Sequence, residues 1–209
     1  MAYPRNHVLL SVQFDAWSGT EELQFGLHFD TTVVPTNTAA IDTAIAAWYG
    51  TAGLSMNQNV RYIGYKLALI GTNGKYPPGH TPTVFTRATP LVGPGAGSVL
   101  PQQTLCISLK TALVRGRGHA GRIYPPPQGY TVGADGRNIT SNVTGAVTAH
   151  KAFFEALVTA VGGRLVVVSD LAGTFQPVTS IAVGRVVDTQ RKRRNHLAEE
   201  YQTASITNP

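Results

Sequence analysis

Four cationic side chains stand in a row at Arg191, Lys192, Arg193 and Arg194, within the stretch DTQRKRRN. Fixed charges this close repel one another and are stable only in water or beside an anion. A phosphate backbone is such an anion, and it releases its counterions on binding, which makes the contact salt-dependent. A second basic stretch, RGRGHAGR, spaces Arg115, Arg117 and Arg122 with glycines and other small residues. Glycine allows close approach of a partner to the backbone, and guanidinium groups bind phosphate bidentately. Tyr124, just beyond, has the flat face on which a base can stack. Both stretches have rival uses. The arginines of the loop could pair with carboxylates of the chain or of a neighbour. The C-terminal block could pair with Glu199 and Glu200 of its own or an adjacent chain, act as a nuclear import signal, or stay a solvated surface. No helix carries Arg, Asn and Gln at recognition spacing, so any nucleic-acid contact is to the backbone and not to base sequence.

Catalytic patterns are absent from the sequence. The six histidines, His7, His28, His80, His119, His150 and His196, are scattered, with none at the spacing of a zinc site or a helical ligand pair. The stretch GPGAGS at 93–98 lacks the Gly-Lys-Ser/Thr ending of a phosphate loop and reads as a connector. There is no Gly-x-Ser-x-Gly elbow. Asp15, Asp30, Asp135, Asp170 and Asp188 fall at turns or strand ends. These patterns argue against an enzyme and imply no metal or cofactor. An enzyme whose site is assembled from distant residues is the third-ranked alternative.

The charge of the chain is unevenly placed. Residues 1–100 hold five basic and five acidic side chains, and residues 101–209 hold twelve and six, so the second half carries the whole net charge of +6. Such asymmetry points to a polyanionic partner. Charged residues are only 13% of the 209, about half of the usual share of roughly 25%. A chain this poor in charge suits a subunit that hides surface against neighbours, because interface cores are depleted in Lys, Glu and Asp. The single cysteine, Cys106, makes an internal disulfide impossible, which fits synthesis in a reducing compartment such as the cytoplasm. No apolar run nears the roughly 20 residues that span a bilayer, so no membrane partner is expected. The sequons at Asn138 and Asn142 then read as a turn and a helix start.

The elements that must position these charges are mostly strands. In VLLSVQFDAW (8–17), Val8, Leu10, Val12 and Phe14 alternate with polar residues, and in LQFGLHF (23–29) Leu23, Phe25, Leu27 and Phe29 do the same. SGTE between them makes a hairpin. A helix follows, with Ile41, Ala44, Ile45 and Trp48 at helical spacing, a cap among Thr36, Asn37 and Thr38, and a stop at Gly50. Strands are expected at 60–71, 82–89, 104–114 and 121–124. The strongest helix spans 141–163, with Val143, Val147, His150, Phe154, Leu157, Val158 and Val161 on one stripe, Ser141 as cap and Gly162-Gly163 as stop. His150, on that stripe, reads as a core or interface histidine. Strands at 164–170 and 178–188 follow. Each half thus reads strand–strand–helix–strand–strand, although the halves share no residue-level identity. The expectation is a single domain over 1–209, with a seam at 90–103 and a basic C-terminal tail at 189–209. Its fold is mainly antiparallel β with two helices: either a two-sheet sandwich with helices in the connections, or an α+β antiparallel sheet built of the two strand–strand–helix–strand–strand halves with both helices on one face.

RGRGHAGRIYPP, followed by a helix and then by PVTSIAVGRVVDTQRKRRN, resembles coat proteins encoded by small viruses and virus-like circular elements with single-stranded genomes. The likeness covers roughly the last half of the chain and rests on short motifs. It implies a structural subunit that self-assembles into a closed, icosahedral shell, the virion, and packages RNA or single-stranded DNA without sequence preference. Such coat proteins are commonly single jelly rolls with helices in their connections. They usually carry a long basic N-terminal arm, whereas here only Arg5 precedes the first strand. Genome contact then falls to Arg115, Arg117 and Arg122 and to Arg191–Arg194. The runner-up is a nucleic-acid-binding protein of low oligomeric order.

Overall fold

The computed structural model describes residues 5–16, 22–36, 38–50, 60–86, 105–112, 119–123, 131–132, 139–141, 143–169, 174–187 and 197–209. Strands β1 (His7–Ala16) and β2 (Glu22–Asp30) form the expected antiparallel pair. Helix α1 (Ala39–Gly50) returns the chain to β3 (Val60–Ile70), which pairs with the other side of β1, and β4 (Thr83–Thr86) lies outside β3. The register lines up rows of apolar side chains across three strands: Phe29–Val8–Leu69, Leu27–Leu10–Leu67 and Phe25–Val12–Tyr65. A slip of one residue would turn every one of them to the other face, so burial itself fixes the pairing.

The second half runs β5 (Leu105–Thr111), β6 (His119–Ile123), the short pair β7 (Thr131–Val132) and β8 (Ile139–Ser141), α2 (Val143–Val161), β9 (Arg164–Ser169), β10 (Thr174–Val187) and β11 (Leu197–Ser205). β5 pairs with β6 on one side and β10 on the other, and β10 also pairs with β11. The first half has the same plan, with β1 between β2 and β3, and β4 outside β3. The topology therefore follows the two-half arrangement, and the fold is mainly antiparallel β with two helices. The short pair β7–β8 and strand β9 have no counterpart among the described residues of the first half. β9 stands between α2 and β10, and it joins the halves by pairing with β2 (His28↔Val166, Phe29↔Leu165, Asp30↔Arg164) and with the start of β10. The result is a nine-stranded sheet in the order β4-β3-β1-β2-β9-β10-β5-β6, with β11 beside β10.

Both helices meet the same face of this sheet. Ile41, Ala44, Ile45 and Trp48 of α1, and Val147, Phe153, Phe154, Leu157, Val158 and Val161 of α2, share one buried cluster with Val8, Leu10, Leu27, Phe29, Leu67, Ile107, Leu109, Ile181 and Val183. Burial of this apolar area is the dominant stabilising term. The caps follow the sequence in part. The Thr38 carbonyl accepts the first helical bond of α1 from Asp42 N, so Thr38 is the capping position. α2 ends at Gly162, whose φ of 75° is the left-handed geometry that glycine adopts without strain. Ser141 is not the cap of α2; it is the last residue of β8.

Two further features depart from the sequence reading. Residues 197–205 form a strand in the ladder with β10, where a tail is expected, and three strands follow α2 in place of two. The short pair β7–β8 is also unanticipated. The expected seam at 90–103 and the SGTE turn lie outside the described residues.

Candidate functional site

The strands that flank the two basic stretches set where those stretches leave the fold. Arg115 and Arg117 fall between β5 and β6, and Arg191, Lys192, Arg193 and Arg194 fall between β10 and β11; all six lie outside the described residues. Arg122 is on β6, where its backbone position is opposite Ser108 of β5. The last residue of β5, Thr111, is opposite Val178, near the start of β10. Val187, which leads toward the C-terminal block, is nine residues further along the same strand and pairs with Leu197. At about 3.4 Å per residue, these two departure points are roughly 30 Å apart. The ladder thus sets these two departure points at opposite ends of one pair of strands.

A charged node that the sequence reading did not single out lies where the halves join. The Asp30 side chain is only 6% exposed, and it accepts hydrogen bonds from Arg5 Nε (2.7 Å) and from an Arg164 terminal nitrogen (2.7 Å), with an Arg5 terminal nitrogen also in contact. Burial alone would raise its pKa. The hydrogen bonds from Arg164 and Arg5, and then their charges, outweigh burial and hold the carboxyl below its ordinary value. Asp30 and Arg164 are register partners in β2 and β9, so the ion pair ties the junction strand to the first half. The clue in the sequence was slight: an aspartate ending one strand and an arginine starting another, 134 residues apart.

Beside this node is an open cleft of about 540 Å³ lined by Asp30, Glu155, Thr159, Gly163, Arg164 and Thr207, among others. Its acids are already engaged. Glu155 accepts the Thr207 backbone N–H at 2.6 Å and lies 3.8 Å from Lys151 Nζ. Asp30 is held by two guanidinium groups. No nucleophile paired with a base lines the cleft, and among the described residues no three of His, Cys, Asp and Glu group as they would around a metal ion. Nor is any described helix long and apolar enough to cross a membrane.

His150 is a core residue, as its place on the apolar stripe implied. It is fully buried, and its Nδ1 accepts the Trp48 Nε1–H at 2.8 Å. That bond requires a neutral ring with its proton on Nε2. Burial pushes the pKa down to about 3. Trp48 also stacks on Phe153, with ring centroids 4.3 Å apart, so these side chains lock α1 to α2. On the opposite face of the sheet His7 and His28 lie with ring centroids 4.9 Å apart, and Phe175 stands edge-on to His7 at 4.8 Å. His28 is lowered to about 4, first by burial and then by the charge of His7.

No family model matches the chain, and no curated protein or solved structure does.

Proposed function

We propose that this chain is a structural capsid subunit: it self-assembles into a closed shell and contacts packaged nucleic acid through backbone phosphates, without catalysis. The observation that carries the reading is the placement of charge. The whole +6 lies in residues 101–209, and seven of the twelve basic side chains there fall in two short segments, Arg115–Arg122 and Arg191–Arg194. Both segments are rooted in paired strands, at opposite ends of the β5–β10 ladder. One end of a subunit can then face the packaged polyanion while the other meets a neighbouring subunit or a second stretch of nucleic acid. The low charge of the remaining chain suits surfaces buried in assembly. The fold plan for this role is the two-half antiparallel sheet.

The test is size-exclusion chromatography of the purified protein at 260 and 280 nm, with negative-stain microscopy of the leading peak. Uniform megadalton particles with nucleic-acid absorbance are expected. A species near the 22.2 kDa monomer that binds nucleic acid with steep salt dependence would replace this reading with that of a low-order nucleic-acid-binding protein. Replacing Arg191, Lys192, Arg193 and Arg194 together with Gln tests the block itself. Four lost phosphate contacts lower the salt slope on single strands by about 3. Particles with unchanged nucleic-acid content, or failed assembly, would assign the block to subunit contact.

A further inference from the structure

The first half of the chain is neutral only in sum. Its acids end at Asp42 and the next acid is Asp135, so all eleven acidic side chains lie outside residues 43–134. That stretch holds eight arginines and lysines, among them Arg61, Lys66, Lys75 and Arg87. In the fold it supplies β3, β4 and the loop between them, the outer margin of the first half. Lys66 and Lys75 are both exposed there. Among the described residues only Val33, Tyr76 and Val84 are large, apolar and exposed, and two of these three are on this margin, Tyr76 at 51% and Val84 at 59%. Val84 is the register partner of Lys66, so cation and apolar surface stand side by side on the face away from the helices.

The loop at 71–82 is longer than an antiparallel pair needs, since two residues can close a hairpin. Its extra residues are bonded to one another. Gly74 N–H donates to the Gly71 carbonyl at 2.9 Å, and Gly71 N–H to the Lys75 carbonyl at 2.6 Å. Lys75 N–H donates to Asn73 Oδ1 at 3.0 Å. Both backbone groups of Lys75 are therefore held, and Pro77 restricts the chain just beyond Tyr76. The Tyr76 ring packs at an angle to His80, with centroids 6.4 Å apart. His80 is fixed in turn by Leu69 N–H, which donates to its Nε2 at 2.9 Å. An exposed ammonium side chain and a half-exposed aromatic ring thus occupy adjacent positions of one ordered loop.

We infer that this margin binds single-stranded nucleic acid, with a base stacked on Tyr76 and with Lys75 and Lys66 on its phosphates. This rests on the reading of the chain as a nucleic-acid-contacting subunit, and it adds a site in the half to which that reading gives none. Charge selects the partner: a margin with cations and no acids attracts a polyanion. The aromatic ring selects the strand state, because an unpaired base has a face for Tyr76 and a base inside a duplex does not. Lys66 stands about 14 Å along β3 from the start of the loop, so the two lysines meet different phosphates. A loop already ordered before binding lowers the entropic cost of association.

Fluorescence anisotropy on the full chain, freed of nucleic acid in high salt, tests the site with a labelled oligothymidylate and a duplex of the same length. Tyr76→Ala should weaken oligothymidylate binding by about tenfold, with its salt slope and the duplex affinity unchanged. Tyr76→Phe keeps the ring and should bind as wild type does. Lys66→Gln with Lys75→Gln should lower the salt slope on the single strand by about 1.4. All three positions are exposed, and circular dichroism confirms that the variants fold. If Tyr76→Ala binds as tightly as wild type while the fourfold Gln variant at Arg191–Arg194 loses affinity, the margin is overturned and the basic block stands. Equal losses on single strand and duplex would also overturn it, since stacking cannot produce them. If Tyr76→Ala loses affinity for the single strand alone and the fourfold variant loses none, the margin stands and the block is not a phosphate contact. A wild type that binds neither probe removes both.

Discussion

Acid should destabilise this protein through its buried histidines, and His150 gives the cleanest test. The ring is neutral in the folded state because burial holds its pKa near 3, against 6.5 for an unhindered histidine. The direction of the pH effect follows. Above pH 6.5 the ring is neutral both folded and unfolded, and pH changes nothing. Below pH 6.5 the unfolded chain takes up a proton that the folded chain refuses, so stability falls as the pH drops, and keeps falling until the folded ring itself titrates near pH 3. A proton bound only by the unfolded state costs up to about 1.4 kcal/mol per pH unit. Between pH 6.5 and 4.5 His150 therefore removes about 2 kcal/mol. His28, lowered to about 4, removes a similar amount over the same window, against a total stability of about 5–15 kcal/mol for a typical domain. His150→Gln cannot ionise, yet its amide oxygen can still accept the Trp48 N–H. Urea unfolding followed by circular dichroism, at half-unit steps from pH 7.5 to 4.5, should show a loss of stability in the variant smaller by about 2 kcal/mol than in wild type. Holding the series above pH 4.5 keeps Asp30 ionised, since its pKa lies below the ordinary carboxylate value. Parallel curves for the two proteins would refute the argument that a neutral imidazole buried under Trp48 is the source of acid sensitivity.

Three further outcomes are expected. A Cβ added at Gly163 would stand 2.8 Å from Thr31 Cβ and Cγ2, so Gly163→Ala should cost about 1–3 kcal/mol in chemical denaturation, and Thr31→Gly in the same chain should recover part of it. Asn208 closes the point where β9 and β10 part: its Oδ1 accepts Leu165 N–H, and its amide nitrogen donates to the carbonyls of Leu165 and Val178, all at 2.8 Å. Asn208→Ala should cost about 1–3 kcal/mol and speed hydrogen exchange at the Leu165 amide. Asn208→Asp should be at least as costly at pH 7, because a carboxylate would face two carbonyl oxygens.

Periodicity carried most of the fold. The stripe Ile41, Ala44, Ile45 and Trp48 is buried as spaced, and so is the stripe from Val147 to Val161, because a helix or strand that hides one face must repeat its apolar residues at its own period. His150 was legible for the same reason: a histidine on an apolar stripe goes inside with it. The likeness between the halves was legible as an order of elements, yet β9 was not legible as the joint between them. RLVVVS reads as a strand in isolation, and nothing in it says that one side meets β2 while the other meets β10. β11 was missed because LAEEYQTAS carries two glutamates and no continuous apolar face, and its strand form comes from the ladder that β10 offers. The Asp30 node was illegible because its three members are far apart in sequence, and a chain reveals spacing along itself far better than proximity in space.

The way β9 joins the two halves has a bearing on how the chain reaches this structure. Within each half some pairings are local, β1 with β2, β3 with β4 across the loop at 71–82 and β10 with β11 across residues 188–196, and the longer ones, β1 with β3 and β5 with β10, still join residues of the same half. The β2–β9 ladder instead closes over more than 130 residues, and it is only three pairs long. Loop closure of that length is an entropic debt incurred before any bond repays it, and long-range pairing slows folding. The halves should then form first, with β9 zipping into place late and the Asp30–Arg164 pair and the Trp48–His150 bond sealing the joint at the level of the sheet and of the helices. On the ribosome this order is imposed: residues 1–86 emerge before β9 exists, so β2 waits with an open edge until the second half arrives. The interval in which β2 lacks its neighbour is the stage at which this chain is most exposed to pairing with the wrong strand.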